Sequence, residues 1–422
     1  MSVQFATVAT AWAQSPNPVL NSVFPPGGQA GKTVEVTVSG SSLDELETLV
    51  CNHSGITCQK SGEKQFRLTI PEDVPAGLYE LRAVGRNGLS SPRSFFVGNQ
   101  TELLETEPNE TPKTAQSVSL NSVINGRIEK GGDLDWFRFT AKKGERVLIE
   151  CWAERIDSRL RAILEVFDDT GRRLAVNRGY FGIDPLIYFQ APNDGTYVVK
   201  LFDLIYSGSS EHFYRLNIGT APRVAFTVPS VVERDKTTRV TLFGWNLHPS
   251  GTALSKDVVE KSALALRTRN SDAGSTARLS KRAHSSRSHT EFDFAEVEIS
   301  PPKESRLSSM PVRLRPPQIA VDGFVYHYPG SYAPVLIGAT DVPVFRDQSR
   351  NHTPKNSQEI SFPCEVSGQL VAGDERDWYA IQARRGEVLW IEAFGERLGS
   401  PVDLDVSVLD SSGQKELARF SD

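Results

Sequence analysis

Five oxygen-bearing side chains fall in two short clusters. Glu105, Glu107 and Asn109 alternate along the chain, so on an extended backbone their side chains share one face. Asp133 and Asp135 alternate in the same way just before Trp136. Carboxylate and amide oxygens at this density suit calcium, a hard cation that takes about six to eight oxygens at roughly 2.3–2.6 Å. The competing reading leaves these residues as hydrated turn and linker positions.

No other residue set reads as a reaction centre. The sequence contains no G-x-S-x-G, H-E-x-x-H or P-loop motif. Its seven histidines (His53, His212, His248, His284, His289, His327 and His352) have no acidic or serine partner at a telling spacing. The four cysteines form no zinc pattern. Cys51 and Cys58 enclose a polar loop that an exported chain can close as a disulfide, and Cys151 and Cys364 read as small buried or edge residues. Asp169-Thr170-Gly171 has the tripeptide of aspartic proteases, but the matching Ser411-Ser412-Gly413 keeps only the glycine, and both follow an aspartate (Asp168, Asp410) as a hairpin turn requires. The balance leans away from an enzyme.

That matching comes from a long internal repeat. Asn109–Gly171 aligns without a gap on Asn351–Gly413 at an offset of 242, with 21 of 63 positions identical, which marks a duplicated domain. The central stretches are Gly131-Gly132-Asp133-Leu134-Asp135-Trp136-Phe137 and Gly373-Asp374-Glu375-Arg376-Asp377-Trp378-Tyr379. In the second copy Asp347, Ser349 and Asn351 replace the Glu105 triplet, while Asp374 and Asp377 sit three apart. A calcium site there is expected to be weaker or empty. A second repeat, at an offset of 204, relates Lys32–Leu43 to Lys236–Leu247.

The elements between are strands. Thr33–Ser39, Phe66–Ile70 and Leu78–Val84 alternate apolar and polar at period two, with Gly and Pro punctuation and an Asn87-Gly88 hairpin signal. In the second unit strands are expected at 135–140, 146–153, 162–168, 186–191, 195–202 and 214–218, with Trp136 and Trp378 as core anchors. Tyr180, Phe181 and Tyr206 are the loop aromatics expected at the surface.

The first unit resembles the IPT/TIG family of immunoglobulin-like domains, through Pro25-Pro26-Gly27-Gly28 and Val38-Ser39-Gly40-Ser41-Ser42-Leu43. The second resembles the bacterial pre-peptidase C-terminal domain. The marks are Glu107-Pro108-Asn109-Glu110-Thr111-Pro112, Gly132-Asp133-Leu134-Asp135-Trp136-Phe137, Lys143-Gly144-Glu145, the Asp168–Gly171 hairpin and Ala191–Val198. The resemblance implies a β-sandwich that accompanies secreted peptidases. It also implies calcium chelated jointly by the entry segment and the acidic turn, here Glu105, Glu107, Asn109, Asp133 and Asp135.

The expected fold is all-β, as tandem β-sandwich domains: an export segment (1–16), an IPT/TIG-like sandwich (17–100), a pre-peptidase-like sandwich (101–219), a second IPT/TIG-like domain (220–340) and a second pre-peptidase-like domain (341–422), incomplete because counterparts of the Tyr197 strand are missing. The apolar start ending in Ala11-Trp12-Ala13 reads as the end of a signal peptide, though it lacks a basic region. Insertion 249–290 is Ser-, Arg- and Lys-rich and lacks aromatics for base stacking, so it reads as a solvated loop rather than a nucleic-acid site. Net charge is −5 and no run of 18 apolar residues occurs, which excludes a global field for nucleic acid and a spanning helix.

The resulting expectation is a secreted, non-catalytic binding, adhesion or scaffold protein of the cell envelope, in the periplasm or at the cell surface. Its partner would be an extracellular polymer or protein, with calcium as the candidate cofactor. The alternative is the accessory region of a secreted peptidase or other hydrolase whose catalytic domain lies outside this chain.

Overall fold

The computed structural model describes residues 17–180, 182–247, 292–302, 322–348, 350–370, 374–395, 398, 400 and 402–421. The expected export segment 1–16, the insertion 249–290 and Phe181 lie outside the described residues. Among those described there is no α-helix; strands alternate with turns and short 3-10 segments throughout.

Residues 17–98 form two facing sheets. One runs Val19–Phe24, Thr33–Ser41, Gln65–Thr69, Thr57–Lys60; the other runs Gly27–Gln29, Arg93–Gly98, Gly77–Gly85, Thr48–Cys51. Period-two patterning explains the packing: Tyr79, Leu81 and Ala83 point inward while Leu78, Glu80 and Arg82 do not. Leu20, Val36, Phe66, Leu68 and Phe95 complete the core. The proposed Cys51–Cys58 closure is not formed. Both thiols are free; Cys51 Sγ accepts from His53 N at 3.4 Å and donates to Asn52 Oδ1 at 3.8 Å. Burial raises both thiol pKa values.

Residues 101–219 form a larger sandwich. One sheet is ordered Thr101–Leu104, Ser122–Arg127, Phe213–Gly219, Arg146–Trp152, Leu186–Gln190; the other Gln116–Ser117, Asp135–Ala141, Gly195–Asp203, Ala162–Asp168, Arg173–Asn177. The strand Asp135–Ala141 pairs in full with Gly195–Asp203, Asp135 opposite Leu201 and Ala141 opposite Gly195. Phe137 and Phe139 enter the core with Val147, Ile149, Val199 and Tyr214. Trp136 therefore faces the other way. It is buried, but in a satellite cluster with Ala115 and Val198, 5.4 Å from Phe167, and not in the main core.

A third pair of sheets combines Arg223–Val228, Thr238–Trp245 and Asp293–Ile299 with Val231–Glu233, Val335–Thr340 and Gly323–Tyr326. A bulge falls at Val224/Phe226 here and at Leu20/Ser22 in the first unit, in keeping with the 204-residue offset. Beyond it, Gln358–Glu359 pairs in parallel with Tyr379–Ala380, in the same register as Gln116–Ser117 on Phe137–Arg138. Trp390 and Ile391 are 84% and 45% exposed. Their first-copy counterparts, Leu148 and Ile149, are fully buried on a strand held between two neighbours.

The first three units meet at an apolar junction of Phe96, Leu148, Leu186, Ala225, Trp245 and Tyr332. Tyr180, expected at the surface, packs edge-on against Trp245 at 5.3 Å. Beside this junction lies a fully buried carboxylate, Glu150. Arg155 Nη1 donates to it at 2.8 Å, Arg223 Nε at 3.1 Å, and the Tyr332 hydroxyl also donates. Arg155 Nε also donates to buried Asp184 at 2.7 Å. Burial alone would raise the Glu150 pKa, but Arg223, Arg155 and Tyr332 bring it down to about 2 from 4.5.

Replacing Glu150 by Gln removes the carboxylate that Arg223 and Arg155 share, while Arg155 keeps its pair with Asp184. The expected cost is about 3–5 kcal/mol, read as a lower urea midpoint; an unchanged midpoint would show that the network contributes nothing. Because the folded pKa is depressed, the contribution is complete above about pH 4.5 and is lost as pH falls through about 2. The wild-type chain should lose stability over that window more steeply than E150Q.

Candidate functional site

The frame of the site is set by backbone. Trp136 N donates to Asn109 O at 3.0 Å, pinning the entry segment to the start of the core strand. Gln116–Ser117 continues that contact as a parallel pair. Asp133 is delivered by a turn in which its N–H donates to Lys130 O at 3.2 Å and Gly132 takes φ +83°, a conformation glycine adopts without strain.

Within this frame the five predicted residues converge, although 105–109 is not a regular strand. Asn109 Nδ2 donates to Glu105 Oε1 at 2.9 Å, and Asn109 N to Glu107 Oε2 at 2.8 Å. Arg127 N donates to Glu105 Oε2 at 2.8 Å. Glu105, Glu107 and Asp135 bring oxygens within 4.8 Å of one another, and Glu107 shares a second such group with Asp133 and Glu110. Glu110 was missed at the level of sequence; an acid directly after Pro108-Asn109 was the available signal.

One oxygen of each aspartate is tied and the other is not. Asp135 Oδ2 accepts from the Tyr214 hydroxyl at 2.6 Å, and Asp133 Oδ2 accepts from Glu129 N at 2.8 Å. Asp135 Oδ1, Asp133 Oδ1 and Asn109 Oδ1 are buried without a hydrogen-bond partner. Buried acceptors are normally satisfied, and each left unmade costs about 1–3 kcal/mol. Burial, then the neighbouring Glu105 and Asp133, pushes the Asp135 carboxyl up to about 10. Burial is also the main cause raising Glu105 and Glu107. Without a compensating charge the cluster must retain protons. The donor set, all oxygen and rich in carboxylate, fits a hard divalent cation such as calcium.

The remaining candidates resolve differently. Asp168 Oδ1 accepts from Thr170 N, Thr170 Oγ1 and Arg172 N at 3.1, 2.6 and 3.0 Å, and Asp410 Oδ1 accepts likewise from Ser412 N and Oγ at 3.1 and 2.5 Å. Both are hairpin turns, with glycines at φ +84° and +68°. Ser209 Oγ lies 2.8 Å from His212 Nδ1, but the same hydroxyl accepts from Glu211 N at 3.1 Å and closes a local turn. Tyr206 is 54% exposed beside Ile205 at 74%, stacked on Phe202, so this loop presents an apolar tip. In the second copy Asp347, Asn351, Glu375 and Asp377 occupy the positions of Glu105, Asn109, Asp133 and Asp135; Asp374 aligns with Gly132, and Ser349 lies outside the described residues.

No family model matches the chain. Over 98 residues it is 33% identical to a probable subtilase-type serine protease of Deinococcus radiodurans, covering 22% of this chain; the chain spans 14% of that relative's length. Among solved structures it is similar to the pre-peptidase C-terminal domain of a collagenase from Bacillus anthracis, at 18% identity over 27% of this chain and 99% of that one, with a TM-score of 0.22. It is also similar to SGBP-B of a Bacteroides ovatus mixed-linkage glucan utilization locus, solved with a mixed-linkage heptasaccharide, at 11% identity over 45% of this chain and 74% of that one, with a TM-score of 0.17. No helix among the described residues is long and apolar enough to cross a membrane.

The geometry makes a prediction that needs no cation. Asp135→Asn keeps an acceptor for Tyr214 and offers Glu105 a donor in place of a competing carboxylate. In chelator the substitution should raise stability by about 1–2 kcal/mol, seen as a higher urea midpoint. A loss of stability there would mean that Asp135 is not in an uncompensated acidic cluster.

Proposed function

We propose that this chain is an exported, non-catalytic array of sandwich modules braced by calcium. In this reading 17–100 and 220–340 are IPT/TIG-like and 101–219 and 341–422 pre-peptidase-like, and calcium is held by Glu105, Glu107, Asn109, Asp133 and Asp135. The observation that carries it is the pair of buried aspartates, each with one oxygen bonded and the other without a partner, beside Glu105 and Glu107. Calcium bound there supplies the missing positive charge. The protein's own part is to hold the entry segment against the core strand through Asn109 and Trp136, and so to fix the direction in which one module follows another. The partner is an extracellular polymer or protein, and the apolar tip at Ile205 and Tyr206 is the surface proposed to touch it.

A second reading, the accessory region of a secreted peptidase, is favoured by the stretch shared with the subtilase-type protease. A catalytic signature encoded in the flanking gene sequence would select it; further sandwiches and an anchor would select the first. Calcium bracing is common to both.

The test is thermal unfolding of the whole chain, stripped of metal, with and without millimolar calcium and with magnesium as control. A cation binding only the folded form at 100 times its Kd stabilises by about 2.7 kcal/mol, so the transition of this module should move up by several degrees. Glu107→Ala should remove most of the shift. No shift with calcium ends the reading.

A further inference from the structure

The second copy keeps the backbone frame of the first and changes its ligand chemistry. Trp378 N donates to Asn351 O at 2.7 Å, as Trp136 N does to Asn109 O, and the adjoining parallel pair has the same register. In that frame Glu110 is replaced by His352, and Asp133 by Glu375. His352 Nδ1 lies 3.0 Å from Asp377 Oδ1 and 3.8 Å from Glu375 Oε1, with one ligand atom from each of the three within 4.8 Å of the others. The side chains of Glu375 and Asp377 are 9% and 8% exposed, whereas His352 is 42% exposed, which leaves an approach from solvent. Neighbouring Asn351 is 1% exposed and its Oδ1 has no hydrogen-bond partner.

We propose that His352, Glu375 and Asp377 form a binding site for a first-row transition ion of the zinc type, distinct from the all-oxygen cluster of the first copy. Bonds of about 2.0–2.2 Å to nitrogen and oxygen put the ligand atoms of a tetrahedral zinc site roughly 3.3 Å apart. The two observed separations bracket that value. Imidazole suits zinc, copper, nickel and iron and does not suit calcium, so one histidine in an otherwise carboxylate set changes which metal is taken. Three protein ligands leave a fourth position open, as the exposure of His352 allows. The site stands on its own geometry and does not depend on calcium binding in the first copy.

The experiment uses the whole untagged chain, stripped of metal, titrated with zinc against a chromogenic chelator, alongside His352→Asn. Asparagine can still donate a hydrogen bond to Asp377, so a purely structural role for His352 would survive the change. The expected result is a zinc equivalent whose affinity falls about 10-fold or more in H352N, with the thermal midpoint of the metal-free chain unchanged. Cobalt should give a ligand-field band with the wild-type chain that H352N lacks. The calcium-dependent shift assigned to the first copy should be the same in both proteins, so failure of one site is distinguishable from failure of the other. Equal zinc affinity in H352N, or no zinc bound by the wild-type chain, overturns the proposal.

Discussion

The carboxylate of Glu150 is the constraint on which the arrangement of modules depends. It has no exposure to solvent, and its partners come from different parts of the chain: Arg155 from its own sandwich, Arg223 and Tyr332 from the next. A lone buried charge is costly, and removing one partner of a buried pair usually costs more than the pair contributes. The effect is therefore one of specificity. Any relative orientation of the second and third sandwiches that separates Arg223 from Glu150 breaks a buried ion pair and leaves Glu150 with Arg155 alone among its arginines. The apolar contacts of Phe96, Leu148 and Trp245 tolerate small slips; the ion network does not. Arg215, paired with Glu102 at 2.8 Å and lying over the Phe96 ring, ties the first sandwich to the same junction.

The same principle separates a compensated ion network from an uncompensated acidic cluster. Glu150 itself is answered by Arg223, Arg155 and Tyr332, and its carboxyl pKa falls to about 2. Around Asp135 the neighbours are acids and the carboxyl is pushed up to about 10. Both groups are buried in the same sandwich, so burial alone does not distinguish them. The sign of the surroundings does. A buried acid with arginines closes a junction, whereas a buried acid among acids calls for a proton or a cation.

Much of this was legible in the sequence because it is local or periodic. Alternation in Asp135–Ala141 and Gly77–Gly85 follows from the pleat, and the two-residue steps within Glu105–Asn109 and Asp133–Asp135 mark the two clusters of oxygen-bearing side chains. Alternation also explains what was misjudged. Its strand position among apolar residues marks Trp136 as a core anchor, but its parity is opposite to that of Phe137 and Phe139, and it covers the outer side of the sheet. The junction could not be read, since Glu150 and Arg223 are 73 positions apart and neither residue type announces burial. Tyr180 was misplaced for the same reason: its partner Trp245 belongs to another module.

The two copies show how one frame can carry two chemistries. The hydrogen bond from the tryptophan N–H to the asparagine carbonyl involves backbone alone, so it tolerates any side chain at the positions around it. Those positions are thereby free to differ, and they do: acid against histidine at 110 and 352, aspartate against glutamate at 133 and 375. The longer glutamate carries its carboxylate about one methylene further, and histidine offers a nitrogen where the first copy offers an oxygen. Ligand type, rather than position, then sets metal preference. A duplicated backbone frame can in this way keep its strand register while one copy gathers oxygen donors alone and the other adds a nitrogen.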